Sequence, residues 1–181
     1  AVDVSVEADA ARMVRFAVER FGRLDVLHNN AAALGPEVFG RDGDIVDMDV
    51  GVWDAAFAVN VRGAMLGCKH AIPVLCAGGG GVIVNTSSLS ALTGEEAHVA
   101  YGASKAALLA LTRHVASMHG ADRIRCNAVA PGLMLTQIAL LRATEVNREA
   151  IDATAQDFLT TYYTGQETNA AFAALSEVGR N

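Results

Sequence analysis

Tyr101 and Lys105 stand four residues apart at the start of a long stretch in which apolar residues recur at helical spacing. On a helix, side chains four apart share a face, so the phenol and the ammonium can reach one site. A phenol is almost wholly protonated at neutral pH, and a fixed cation beside it favours the phenolate, which suits the group to proton exchange. The same spacing also describes a surface Tyr and Lys on an amphipathic helix, so the pair needs company before it means chemistry. Two further polar residues offer it. Ser88 follows the apolar run 82–85, and in open parallel sheets ligands bind beyond the C-terminal ends of the strands. Asn60 lies inside the apolar stretch 52–75, where an amide that competes for backbone hydrogen bonds is either solvated or put to use.

The elements that must position these groups alternate. Residues 1–4 read as the end of a strand, and a helix follows, with Ser5 as its cap and Glu7 and Asp9 in its first turn. Its apolar face is Ala10, Met13, Val14, Ala17 and Phe21, and Gly22 stops it. A short strand over 24–28 runs into Asn29-Asn30-Ala31-Ala32, a turn of small and amide residues that lets a ligand approach backbone. Residues 34–49 read as a surface loop, 52–75 as a helix, and the glycines at 78–81 as a flexible connection, since they lack G-x-G-x-x-G spacing and precede a strand. Strands are predicted at 82–85 and 124–129, with the Tyr101 helix between them reaching about residue 119 and a turn at 93–96 before it. Two more helices are predicted at 136–148 and 152–163. Short apolar strands alternating with helices give an α/β chain with a mostly parallel sheet, because parallel strands need crossover helices.

With 181 residues the chain suits one domain with a sizeable core, and its 52% hydrophobic and 19% charged content is ordinary for a soluble protein. A net charge of −6 argues against nucleic acid or an anionic membrane as partner. No run reaches the length of a membrane span and the first residues lack a signal-peptide form, which together predict a cytoplasmic protein. Cys68, Cys76 and Cys126 are odd in number without C-x-x-C spacing, so neither a disulfide framework nor a zinc site is expected, and all three read as buried, reduced side chains.

Taken together, these residues resemble the short-chain dehydrogenase/reductase family. The matching text is Asp3-Val4, the run Asp25 to Ala32, Asn60-Val61-Arg62-Gly63, Ile83 to Ser88, Tyr101-Gly102-Ala103-Ser104-Lys105, and Asn127 to Gly132 with Thr136 closing P-G-x-x-x-T; Ser88 precedes Tyr101 by thirteen positions, as in the family. The resemblance implies a Rossmann-like, doubly wound parallel sheet and hydride transfer between NAD or NADP and a small, fairly hydrophobic alcohol or ketone. In that reading Tyr101 is the acid/base, and Ser88 polarises the same substrate oxygen. Lys105 supports the Tyr101 phenolate and binds ribose hydroxyls, and Asn60 holds a relay water. Asp3 and Val4 would touch adenine, Asn29 to Ala31 would line the dinucleotide, and Pro131, Gly132 and Thr136 would flank nicotinamide. The substrate pocket would draw on 34–49, 89–98 and the residues after Gly132, with Leu133 and Met134 among them. His98, three residues before Tyr101, reads as a partly exposed loop histidine. Helices 52–75 and 101–119 would pair between subunits of a homo-oligomer.

The departures from the family pattern carry their own expectations. The glycine-rich T-G-x-x-x-G-x-G turn and the strand that selects the cofactor do not occur, nor does the usual V-D-G-G ending, and Ala32 replaces a glycine. The expectation is a single partial dinucleotide-binding domain over 1–181, lacking the first βαβα portion, with an exposed apolar strand edge and an uncovered helix face. Two functions stay open at this point: the family's oxidoreductase, or an inert binding or assembly module of the same fold that cannot hold a dinucleotide. A gene fragment without a stable fold is the third, lesser possibility.

Overall fold

Three parallel strands in the order β1-β2-β3 carry the site, and their register aligns the ends that matter. Strand β1 is Val26–Asn29, β2 is Gly81–Thr86 and β3 is Ile124–Val129. Asn29 pairs with Asn85, Asn85 with Ala128, and Thr86 with Val129. The chain therefore leaves all three strands at one edge, delivering 30–33, 87–91 and 130–132 to the same place. The computed structural model describes residues 1–94 and 97–132; the helices predicted at 136–148 and 152–163, Leu133, Met134 and Thr136 lie outside the described residues, as does half of the 93–96 turn.

Alternation within the strands fixes which face is covered. Leu27, Ile83, Ile124 and Cys126 are buried and join Val14, Cys68, Ala71, Leu75 and Val115 in one core. These partners come from α1 (Glu7–Phe21), α3 (Gly63–Ala77) and α4 (Val99–His119), so the helices of the described residues cover one side of the sheet. The other side shows Val26, His28, Arg125, Asn127 and Val129 exposed, and a parallel sheet ordinarily carries helices on both faces. Strand β1 has one neighbour among the described residues, which leaves Val26 54% exposed. None of the helices among the described residues is long and apolar enough to cross a membrane.

Several local expectations are revised. Ser5 does not cap α1: Val6 stands at that position without a side-chain bond, and the Ser5 hydroxyl donates to Asp3 Oδ1 at 2.7 Å. The predicted strand over 24–28 forms over Val26–Asn29. Gly22 does stop α1, at φ 80°, with its amide on Val18 O. The glycines at 78–81 form a fixed turn: a Cβ on Gly80 would stand 2.6 Å from Arg123 O, and one on Gly81 2.6 Å from a Leu75 methyl. Only glycine lets the end of α3 pass this close to β2 and β3.

The predicted helix over 52–75 is three pieces. α2 (Val50–Phe57) starts at Asp49, whose carboxylate accepts the Gly51 amide at 2.8 Å. One π-helical turn, Ala58–Arg62, then leads into α3. A π turn inserts a residue into the helical ladder and re-aims the side chains on it, and such turns recur at functional sites. Asn60 is in its middle.

Candidate active site

Asn60 is 1% exposed, which settles the choice between a solvated amide and one in use. Its Oδ1 accepts the Ala33 amide at 2.8 Å, and its Nδ2 donates to Ser104 Oγ at 2.8 Å. Ser104 in turn donates to the carbonyl of Tyr101 at 2.7 Å. The π turn is thus tied by one amide to the loop after β1 and to Ser104 of α4.

Lys105 is also 1% exposed, and its ammonium donates to Thr86 O at 2.7 Å. Burial pushes its pKa down from the ordinary lysine range. The Nζ stands 5.6 Å from the Tyr101 ring centroid, within the reach of a cation–π contact. The shared helix face predicted from spacing is therefore real, and the phenol is half-buried beside it. A second bond, Ser87 Oγ to Lys105 O at 2.9 Å, clips α4 to the end of β2.

Ser88 lies at the start of a single 3-10 turn, Leu89–Ala91, and its Oγ accepts the Ser90 amide at 3.3 Å and donates to Ser90 Oγ at 3.2 Å. Gly102 explains how α4 approaches this turn, because a Cβ there would be 3.2 Å from Ser90 O. The segment after β3 closes the same corner: Ser87 N bonds Val129 O at 2.7 Å and Leu89 N bonds Pro131 O at 2.9 Å, which puts Pro131 and Gly132 beside the Ser88 turn.

A groove on the other side of Asn60 is lined by Val4, Asn29, Asn30, Ala31, Gly63 and Gly67 among others. Small residues shape it: a Cβ on Gly63 would meet Val4 at 2.9 Å, and one on Gly67 would meet Asn29 Oδ1 at 2.6 Å. Four of the sequence candidates, Val4, Asn29, Ala31 and Asn60, therefore share one wall system. Asp3 does not line it, since its carboxylate accepts the Ser5 amide and hydroxyl, an interaction that lowers its pKa. The Asn29 side chain has a structural task as well, donating to Asn85 Oδ1 at 2.8 Å, while Asn85 donates to Thr112 Oγ1 at 2.8 Å. This buried polar chain joins β1, β2 and α4.

The loop 34–49 holds what the sequence reading missed. Asp42 is 4% exposed, and its two carboxylate oxygens accept the amides of Ala100 at 2.9 Å and Tyr101 at 2.8 Å. It caps α4 from 58 residues away, and its own carbonyl accepts His98 N. The available signal was a lack: His98 precedes α4 at φ 62° and no side chain of its own segment caps it. Phe39 packs edge-on against Tyr101 and His98 at centroid distances of 5.3 and 4.0 Å, bracing the phenol. His98 is half-buried, as its reading as a partly exposed loop histidine anticipated.

A family model described as enoyl-(acyl carrier protein) reductase matches residues 1–177. A protein of Bradyrhizobium diazoefficiens described as a short-chain type dehydrogenase/reductase is 44% identical over 132 residues, 73% of this chain and 46% of the relative. The 7alpha-hydroxysteroid dehydrogenase of Bacteroides fragilis is 39% identical over 137 residues, 76% of this chain and 52% of that protein. Among solved structures, NAD+-bound xylitol dehydrogenase superposes with a TM-score of 0.72 at 31% identity, over 80% of this chain and 54% of that one. The chain spans about half the length of the curated relatives it matches.

Proposed function

The chain belongs to the short-chain dehydrogenase/reductase family, and on that premise we propose that it serves hydride transfer between NAD or NADP and an alcohol or carbonyl substrate. The observation that carries this reading is Lys105. A fully buried ammonium is costly to hold unless its donors are used, and among the described residues one of its three goes to a protein acceptor, Thr86 O. The remaining donors suit the paired hydroxyls of a ribose. The groove lined by Val4, Asn29 and Ala31 is the place this reading gives the dinucleotide.

A bound nicotinamide supplies the hydride. Tyr101 exchanges a proton with the substrate oxygen, and the Lys105 ammonium attracts the negative charge left on the phenol. Ser88, turning its hydroxyl from Ser90 to that same oxygen, stabilises charge developing there. Asn60 positions α4 through Ser104 and keeps one N–H and one lone pair for a relay water. Pro131, Gly132 and Thr136 would flank the nicotinamide end, with Val4 and the neighbouring Asp3 at the adenine end. The substrate class in this reading is a small, fairly hydrophobic alcohol or ketone; the relatives support the coarser class alone, since one is named for a hydroxysteroid and another for the polyol xylitol. Homo-oligomer formation through α2, α3 and α4 and a cytoplasmic location belong to the same proposal.

Calorimetric titration with NADH and NADPH, and nicotinamide absorbance with a panel of secondary alcohols, test it. Tyr101→Phe is expected to bind cofactor as the wild type does and to lose at least about a hundredfold in turnover. Unchanged turnover in that variant rejects the acid/base assignment, and absence of cofactor binding favours the inert module.

A further inference from the structure

At the opposite end of the sheet, where β2 and β3 begin side by side, three residues unused by the site above converge. Cys76 is in the last turn of α3, His119 ends α4, and Asp122 lies in the turn into β3. One donor atom from each, the Cys76 thiol, a His119 ring nitrogen and an Asp122 carboxylate oxygen, lie within 4.8 Å of one another. His119 Nδ1 is 3.0 Å from Asp122 Oδ2.

We propose that Cys76, His119 and Asp122 bind a divalent transition-metal ion of the zinc class, with water completing the tetrahedron. The donor set is one that zinc takes, and three protein ligands with an open fourth position is a recognised arrangement. Metal bond lengths of about 2.0–2.3 Å place ligand atoms about 3.4–3.6 Å apart, so the widest separation in the trio needs to close by about 1.4 Å at most while the His119–Asp122 pair opens slightly from 3.0 Å. Half-buried and exposed side chains at helix ends close that distance by rotamer adjustment, whereas the backbone is already in place. The C-termini of α3 and α4 both point their negative dipole ends here, which favours a cation. Arg123, the residue after Asp122, is the nearest cation in the sequence and works against that attraction. Affinity must therefore come from inner-sphere bonds, with the metal replacing the thiol proton and taking His119 as a neutral imidazole whose own proton sits on the other ring nitrogen. Linear spacing conceals such a site, since its ligands belong to three successive elements and none forms a short motif.

Cobalt titration of the full chain reads it directly, because thiolate-to-cobalt charge transfer gives a near-ultraviolet band. The expected result is one equivalent bound with that band, loss of the band in Cys76→Ala, and an affinity lower by at least about tenfold in Asp122→Asn, since even outer-shell partners of metal ligands are worth that much. Zinc is also expected to slow alkylation of Cys76 in the unmodified chain, reversibly on chelation, a readout that needs no variant to fold. A wild-type chain without the band, a band that survives Cys76→Ala, or zinc that leaves alkylation unslowed overturns the proposal.

Discussion

Removing the Asp42 carboxylate tests whether α4 is held from the distant loop. In Asp42→Ala the amides of Ala100 and Tyr101 lose their acceptors, at 2.9 and 2.8 Å respectively. Ala100 is 0% exposed, so water cannot replace the lost bond there, while the half-buried Tyr101 amide can be partly rehydrated. A capping Asp replaced by Ala costs about 0.5–2 kcal/mol, and a buried amide left unpaired about 1–3 kcal/mol. Together these give a loss of about 2–4 kcal/mol, since the two figures overlap at one bond. For a chain of this length each kcal/mol is worth about 2–4 °C, so a fall in Tm of about 5–15 °C is expected by calorimetry or circular dichroism. Asp42→Asn keeps one acceptor oxygen and should lose about half as much. Turnover should fall further than stability explains at temperatures where the variant is folded, because one of the released amides belongs to Tyr101 itself. A loss under about 0.5 kcal/mol in Asp42→Ala, or equal losses in both variants, would refute the capping argument.

Gly67→Ala puts a methyl 2.6 Å from Asn29 Oδ1 and should cost about 1–3 kcal/mol in urea denaturation, whereas Gly43→Ala, with nothing within 4 Å, should be near neutral. Equal effects would show that the close approach is not a constraint. Lys105 titrates below its ordinary 10.5 because of burial, so the cost of holding its charge is present at pH below the folded pKa and is relieved as pH rises through that value towards 10.5. Wild type should therefore gain stability on Lys105→Met across that alkaline window, and a pH-independent difference would contradict the assignment. Burial pushes the Cys68 thiol up to about 11 and raises Cys126 as well, so in the native chain without metal iodoacetamide should modify Cys76 first, with the other two reacting only on unfolding. Mass spectrometry of the early product that found Cys68 alkylated would overturn that order.

The α/β alternation, the strand at 124–129, the helix from Tyr101 to His119 and the shared face of Tyr101 and Lys105 were legible in the sequence. Each rests on a local period, and local periods survive into the fold when burial agrees with them. The sequence also carried the family, through motifs whose order and spacing are written along the chain. The tertiary structure alone decided what long-range contacts control. The Asn60 amide could be solvated or structural on the linear evidence, and the answer came from Ala33 and Ser104, which the chain brings to it only when β1 and α4 are in place. The glycines at 78–81 looked free because composition does not show Arg123 and Leu75 packed against them. Asp42 was hidden in a loop rich in Gly and Asp for the same reason. A cap supplied from 58 residues away leaves no mark at the helix it caps except the missing local one. Periodicity encodes which face of an element is buried; which polar group waits on that face is set by packing partners that no local pattern names.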